Sequence, residues 1–139
     1  YRMSNVLAGI GRGQLKVLER RLAQKRHIFE FYKENLSHLE GLEMMPVNDW
    51  NEPNFWLSCI TLSGKVKPLT ILEALERENI ESRPIWKPMH MQPFYRDCDF
   101  LGSGVSQKIF EHGLCLPSDT KMTDDDLNRI CEIIKGVWR

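Results

Sequence analysis

A chain of 139 residues suits one domain with a hydrophobic core of its own. Its 19 Lys+Arg offset 19 Asp+Glu, so no whole-molecule field draws it to nucleic acid or an acidic surface, and 42% hydrophobic with 27% charged residues excludes a disordered chain. No apolar run approaches membrane-spanning length, and Cys59, Cys98, Cys115 and Cys131, with no C-x-x-C spacing, read as reduced thiols of a cytoplasmic protein.

The chain opens at Tyr1 without an initiator Met, which predicts further polypeptide ahead of it. Ser4 is placed to cap a helix. Behind it, Leu7 and Ile10, then Leu15, Leu18, Leu22, Phe29, Tyr32 and Leu36 recur at helical spacing, with Lys16, Arg20, Lys25 and Glu34 on the opposite face. The pattern predicts one long helix over about 5–36, bent near Gly9, Gly11 and Gly13, with Gly41 in the turn that follows. "MMPVNDWNEPN" reads as a connecting loop and "FWLSCITL" as a strand ended by Ser63-Gly64. "KPLTILEALEREN" starts a helix at Pro68 and lines Leu69, Leu72 and Leu75 along one side. "IESRPIW" is extended, and Pro84 keeps it from being a central strand throughout. "KPMHMQPFYRDCDFLG" is irregular, "SGVSQKIFEHG" is a short helix stopped by Gly113, and "LCLP" is a short strand. The last helix carries an approximate capping box from Thr123 to Asp126 and a stripe of Leu127, Ile130, Ile134 and Val137. This order predicts a single α+β domain: the long helix, then mixed helix and strand over 55–138, with a small, mostly antiparallel sheet carrying helices on one face.

Gly9, Gly11 and Gly13 are not a phosphate loop. No strand precedes them, and neither G-x-G-x-x-G nor G-K-[ST] is present. Inside a helix each costs about 1 kcal/mol relative to alanine, which points to close approach of another backbone, between domains or subunits. Arg12, Lys16, Arg20, Arg21, Lys25 and Arg26 lack interleaved aromatics and read as a solvated helix face.

The richest chemistry lies in "ESRPIWKPMHMQPFY". Arg83 is suited to a bidentate grip on a carboxylate or phosphate, Trp86 to stacking on a sugar or base, and His90 to proton transfer near neutral pH. The residues equally allow Trp86 and Met89 to plug the core while His90 caps a backbone group. Met89-His90-Met91 lacks the further ligands a copper site needs, no cysteine has a partnered His at a recognisable spacing, and Asp124, Asp125 and Asp126 suit the positive end of a helix better than a metal.

Three ordered segments together resemble the DegT/DnrJ/StrS sugar aminotransferases. "YRMSNVLAGIGRGQLKVLERRLAQKRHIFEFY" is similar to the family's Tyr-Arg-Met-Ser segment with its Gln-Leu and Arg-containing helix. "SRPIWKPMHMQPFY" resembles the Arg…Pro-x-His-x-Gln segment, and "GLCLPSDTKMTDDDLNRICEII" the closing Leu-Pro-Ser strand and last helix. The resemblance covers nearly all of the chain. It implies the C-terminal small domain of a fold-type I, pyridoxal phosphate-dependent aminotransferase that moves an amino group from glutamate to a nucleotide-linked keto-sugar in glycan biosynthesis. It also implies a homodimer with shared active sites.

By the same resemblance, the large cofactor-binding domain and its Schiff-base lysine lie upstream, so this stretch alone supplies no catalytic residue and is inactive. Tyr1 and Arg2 lie beside the cofactor phosphate of the partner subunit, His90 and Trp86 face sugar nucleotide or cofactor, and Arg83 holds the donor carboxylate. The competing expectation is a stand-alone, non-catalytic binding or dimerisation module.

Overall fold

The computed structural model describes residues 2–138. Helix α1 (Asn5–Leu15) begins at Ser4, whose hydroxyl accepts from the Leu7 N–H at 3.3 Å. The expected single helix over 5–36 is two. Lys16 and Val17 form a turn, Val17 leaves the helical region (φ −114°, ψ 3°), and α2 (Leu18–Leu36) starts afresh. Tertiary packing accounts for the division. In α2, Ile28, Phe29, Tyr32 and Leu36 are buried, whereas α1 buries nothing and leaves Val6, Leu7, Ile10 and Leu15 exposed. Only α2 is held by the core; α1 projects from it with three poor helix formers in its middle.

The remaining elements are β1 (Leu42–Met44), β2 (Ser58–Leu62), α3 (Pro68–Arg77), β3 (Arg83–Pro84), α4 (Val105–His112), β4 (Gly113–Leu116) and α5 (Asp124–Gly136), with two 3-10 turns at Met89–Met91 and Pro93–Tyr95. The strands form one antiparallel sheet in the order β1-β2-β4-β3. Strand β1 occupies residues that the sequence assigns to the turn and the start of the loop; three residues are too few for an alternation to show. At the far edge β3 is two residues long, as Pro84 dictates: it has no N–H to extend the ladder.

Alternation along β2 and β4 sorts the sheet into two faces. Ile60, Leu62, Leu114 and Leu116 point to one side, where α2, α3 and α5 bury Tyr32, Leu36, Ile71, Leu75, Leu127, Ile130 and Ile134 against them. On the other side Cys59 stands directly across from Cys115. Helix α5 has the full capping box: the Asp126 N–H donates to Thr123 Oγ1 and the Thr123 N–H to Asp126 Oδ2. The Thr123 N–H and the Thr123 hydroxyl, both donating to Asp126 Oδ2, hold the Asp126 carboxyl below its ordinary pKa. Asp124, in the same first turn, meets His27 of α2 at 2.7 Å.

Two kinds of glycine are present. Gly41 sits at φ +75°, and a Cβ there would lie 2.8 Å from the Gly64 nitrogen, so the turn into β1 admits no other residue without strain. Around Gly9, Gly11 and Gly13 a Cβ would meet nothing within 4 Å among the described residues beyond the helix's own backbone, so those residues do not supply the crowding that the glycines' cost implies. Gly41→Ala is therefore expected to lower stability by about 2 kcal/mol, read from the midpoint of chemical denaturation. Gly9→Ala is expected to add helical signal in circular dichroism by about 1 kcal/mol of helix propensity without lowering that midpoint.

Candidate functional site

The segment that leaves β4, Pro117 to Thr120, is tied to α2 by three side chains. The Tyr32 hydroxyl donates to the Pro117 carbonyl at 2.8 Å, Arg21 donates to Thr120 Oγ1 at 2.9 Å, and the Lys25 ammonium donates to the Ser118 carbonyl. The same ammonium donates to the Trp56 carbonyl at 2.9 Å. Burial lowers the pKa of Lys25, opposed by the charge of Asp119. The expected solvated basic face is thus corrected: Arg21 and Lys25 are part of the scaffold, and Arg26 lies over the ring of Phe55, 5.3 Å from its centre.

Between these anchors and β3 opens a cleft of about 520 Å³ whose lining includes Trp56, Ser82, Arg83, Trp86, Ser118 and Asp119. A local conformation aims Trp56 into it. Phe55 takes φ +50°, a left-handed geometry that a bulky side chain rarely adopts. Its ring is buried against Phe29, with centres 4.6 Å apart. The Trp56 N–H is held by Asn54 Oδ1 at 3.0 Å and its carbonyl by Lys25. With the backbone fixed, the indole stands 5.8 Å from that of Trp86, tilted by 38°, and each residue is 64% exposed.

The cleft brings together two of the predicted site residues. Arg83 lines it, with both Nε (2.8 Å) and Nη2 (2.7 Å) on Glu81 Oε1. This pair is exposed and worth about 1 kcal/mol or less, so an incoming anion displaces Glu81 at small cost. Trp86 lines it too and does not plug the core; nor does the exposed Met89. His90 lies apart from the cleft lining. It stacks on Phe100 with centres 3.8 Å apart, and its buried Nε2 has no hydrogen-bond partner among the described residues. It therefore caps no backbone group through that atom. Arg2 is exposed, and Tyr1 lies outside the described residues. No cluster of three His, Cys, Asp or Glu able to hold a metal occurs among the described residues.

Fold and cleft define a small α+β domain with an aromatic-lined concavity where its central strands end. The chain belongs to the DegT/DnrJ/EryC1/StrS aminotransferase family, which it matches over residues 1–135. EpsN of Bacillus subtilis (strain 168), named as a pyridoxal phosphate-dependent aminotransferase, is 41% identical over 138 residues, covering 96% of this chain and 36% of EpsN. The GDP-perosamine synthase of Vibrio cholerae is 34% identical over 143 residues, covering 99% of this chain and 38% of the synthase. In fold, the PLP form of Spr1654 from Streptococcus pneumoniae superimposes with a TM-score of 0.85 at 21% identity, over 99% of this chain and 36% of that one. The chain thus spans little more than a third of the curated relatives named here, in keeping with a C-terminal portion of the family. No helix among the described residues is long and apolar enough to cross a membrane.

Against the family's cofactor, the residues here fit an accessory role and not the covalent anchor. Of the nine lysines, Lys25 has its pKa lowered by burial, but its ammonium is engaged by two carbonyls. The Nε2 of His90 is a buried polar atom without a hydrogen-bond partner among the described residues, and Arg2 is exposed.

Two measurements check this description. Lys25→Met leaves the carbonyls of Trp56 and Ser118 without their donor; it is expected to cost about 1–3 kcal/mol in urea unfolding and to shift tryptophan emission. Among the thiols, burial pushes Cys59 up to about 12 and Cys131 to about 11, and raises Cys115, whose sulfur lies 3.6 Å from that of Cys59. Cys98 is exposed. Alkylation at pH 8, followed by mass spectrometry, is expected to label Cys98 first. Labelling of Cys59 should rise as pH increases toward 12, because only the thiolate reacts.

Proposed function

We propose that this chain is the C-terminal domain of a pyridoxal phosphate-dependent aminotransferase that passes an amino group from glutamate to a nucleotide-linked keto-sugar in glycan biosynthesis. We propose further that the whole protein is a cytoplasmic homodimer. The observation that carries the reading is the family match over residues 1–135, with 41% identity to EpsN across nearly the whole chain. The GDP-perosamine synthase relative supports a nucleotide sugar as acceptor. The uncovered apolar side of α1, with its three glycines open to close approach, supports a surface that other polypeptide covers.

In this reading pyridoxal phosphate, bound mainly by residues ahead of this chain, supplies the electron sink for amino transfer. The residues here bind and orient. Tyr1 and the Arg2 guanidinium meet the cofactor phosphate of the partner subunit. Arg83 exchanges Glu81 for the glutamate carboxylate, a swap between like anions in a bidentate geometry. His90, held by its stack on Phe100, is the residue we assign to contact the substrate or cofactor; its Nε2 has no hydrogen-bond partner among the described residues. Trp86 forms one wall of the substrate cleft.

The reading is tested with the full-length protein supplied with pyridoxal phosphate, glutamate and a panel of nucleotide-linked keto-sugars, with aminated product followed by mass spectrometry. Absence of product across the panel would overturn it. In the active protein His90→Ala is expected to lower kcat by about 100-fold or more, within the range of a lost proton-transfer group, while the thermal midpoint moves by only a few degrees. Unchanged turnover would remove His90 from the site.

A further inference from the structure

We infer that Trp56 and Trp86 together form a stacking platform for the base of a nucleoside diphosphate-linked substrate, an inference that rests on the nucleotide-sugar reading above. Three observations carry it. The first is that two indoles 5.8 Å apart both line a single cleft. Adjacent tryptophans in one concavity supply a broad, rigid aromatic surface with polar edges.

The second is the way Trp56 is presented. Its amide is fixed at both ends, by Asn54 and Lys25, and the preceding Phe55 is held at φ +50° by burial against Phe29 and the Arg26 guanidinium. Two polar anchors and a strained neighbour hold the indole turned outward. Backbone strain retained in this way clusters at ligand clamps, and the fixed backbone reduces the ordering cost of binding.

The third is the character of the remaining lining. Ser82 Oγ is buried and without a hydrogen-bond partner among the described residues, and Asp119 lines the same cleft. A flat heteroaromatic ring with polar edges matches an aromatic surface bordered by hydroxyl and carboxylate groups. At about 520 Å³ the cleft has the size of an ordinary small-ligand site. Stacking tolerates any base, so the platform supplies affinity for the nucleotide half, while the sugar is left free to extend toward the reacting centre.

The test uses the full-length protein and isothermal titration with GDP, UDP and TDP as probes and inorganic pyrophosphate as the base-free control. Wild-type protein is expected to bind at least one nucleoside diphosphate. Trp56→Ala and Trp86→Ala are each expected to raise its Kd by about 5- to 150-fold, to leave pyrophosphate affinity within about twofold, and to be largely rescued by Phe. Both indoles are exposed, so thermal midpoints should stay near wild type; a collapsed midpoint in an Ala variant moves the comparison to the Phe and Leu variants. Unchanged nucleotide affinity in the variants, or parallel loss of nucleotide and pyrophosphate, overturns the platform alone. Failure of every nucleoside diphosphate to bind wild-type protein overturns the substrate class itself, and the platform with it.

Discussion

Helix α2 grips the end of β4, and the rest of the molecule is arranged around that grip. Arg21, Lys25 and Tyr32 are spaced to reach in turn Thr120, Ser118 and Pro117, each by a hydrogen bond from a side chain that belongs to the packed helix. The tie through Tyr32 is buried, and its phenol is accordingly pushed far above its ordinary pKa; a hydroxyl so placed acts as a permanent donor. Ser118 extends the same tie across the sheet, because its hydroxyl accepts from the Ser58 N–H at 3.1 Å and donates to the Leu116 carbonyl at 3.0 Å. Strand ends that would otherwise carry unsatisfied groups are closed, and the cleft beside them acquires a rigid floor.

That rigidity is unevenly distributed. Below the sheet, α2, α3 and α5 enclose a continuous apolar core. Above and beside it, Trp56 and Trp86, the turns that follow β3 and most of α1 are exposed. A domain of this size can leave so much apolar area open only if its core is sufficient without it. Here Tyr32, Ile60, Leu75, Leu114, Leu127 and Ile134 are completely covered from water by residues of this chain. The core is thereby complete without the exposed side chains of the cleft.

The legibility of these features followed their physical origin. Periodicity and local chemistry marked what depends on neighbours in sequence: Pro68 at a helix start, the Thr123–Asp126 capping box, Pro84 as the limit of β3, and Gly113 as the stop of α4. The break at Val17 was hidden, because Leu15 and Leu18 continue the apolar spacing although no residue of α1 is buried by the described residues. Lys25 read as a solvated residue, since a helical pattern does not reveal that two carbonyls from distant segments converge on one ammonium. Trp56 lay inside the predicted strand; its outward turn depends on the φ of Phe55, which only the packed ring of Phe29 explains. Arg83 and Trp86 were found because their side chains are chemically distinctive, whereas Trp56, Ser118 and Asp119, which line the same cleft from distant parts of the sequence, carry no local signal.

The two-residue β3, ended by a proline, has a bearing on how such a domain behaves in concentrated solution. A sheet recruits neighbours by offering a row of free amides and carbonyls, and this rim offers almost none. The apolar stripe of α1 remains the sticky part of the molecule. At this edge, pairing of backbone with another sheet is limited to two residues, one of which has no N–H to donate.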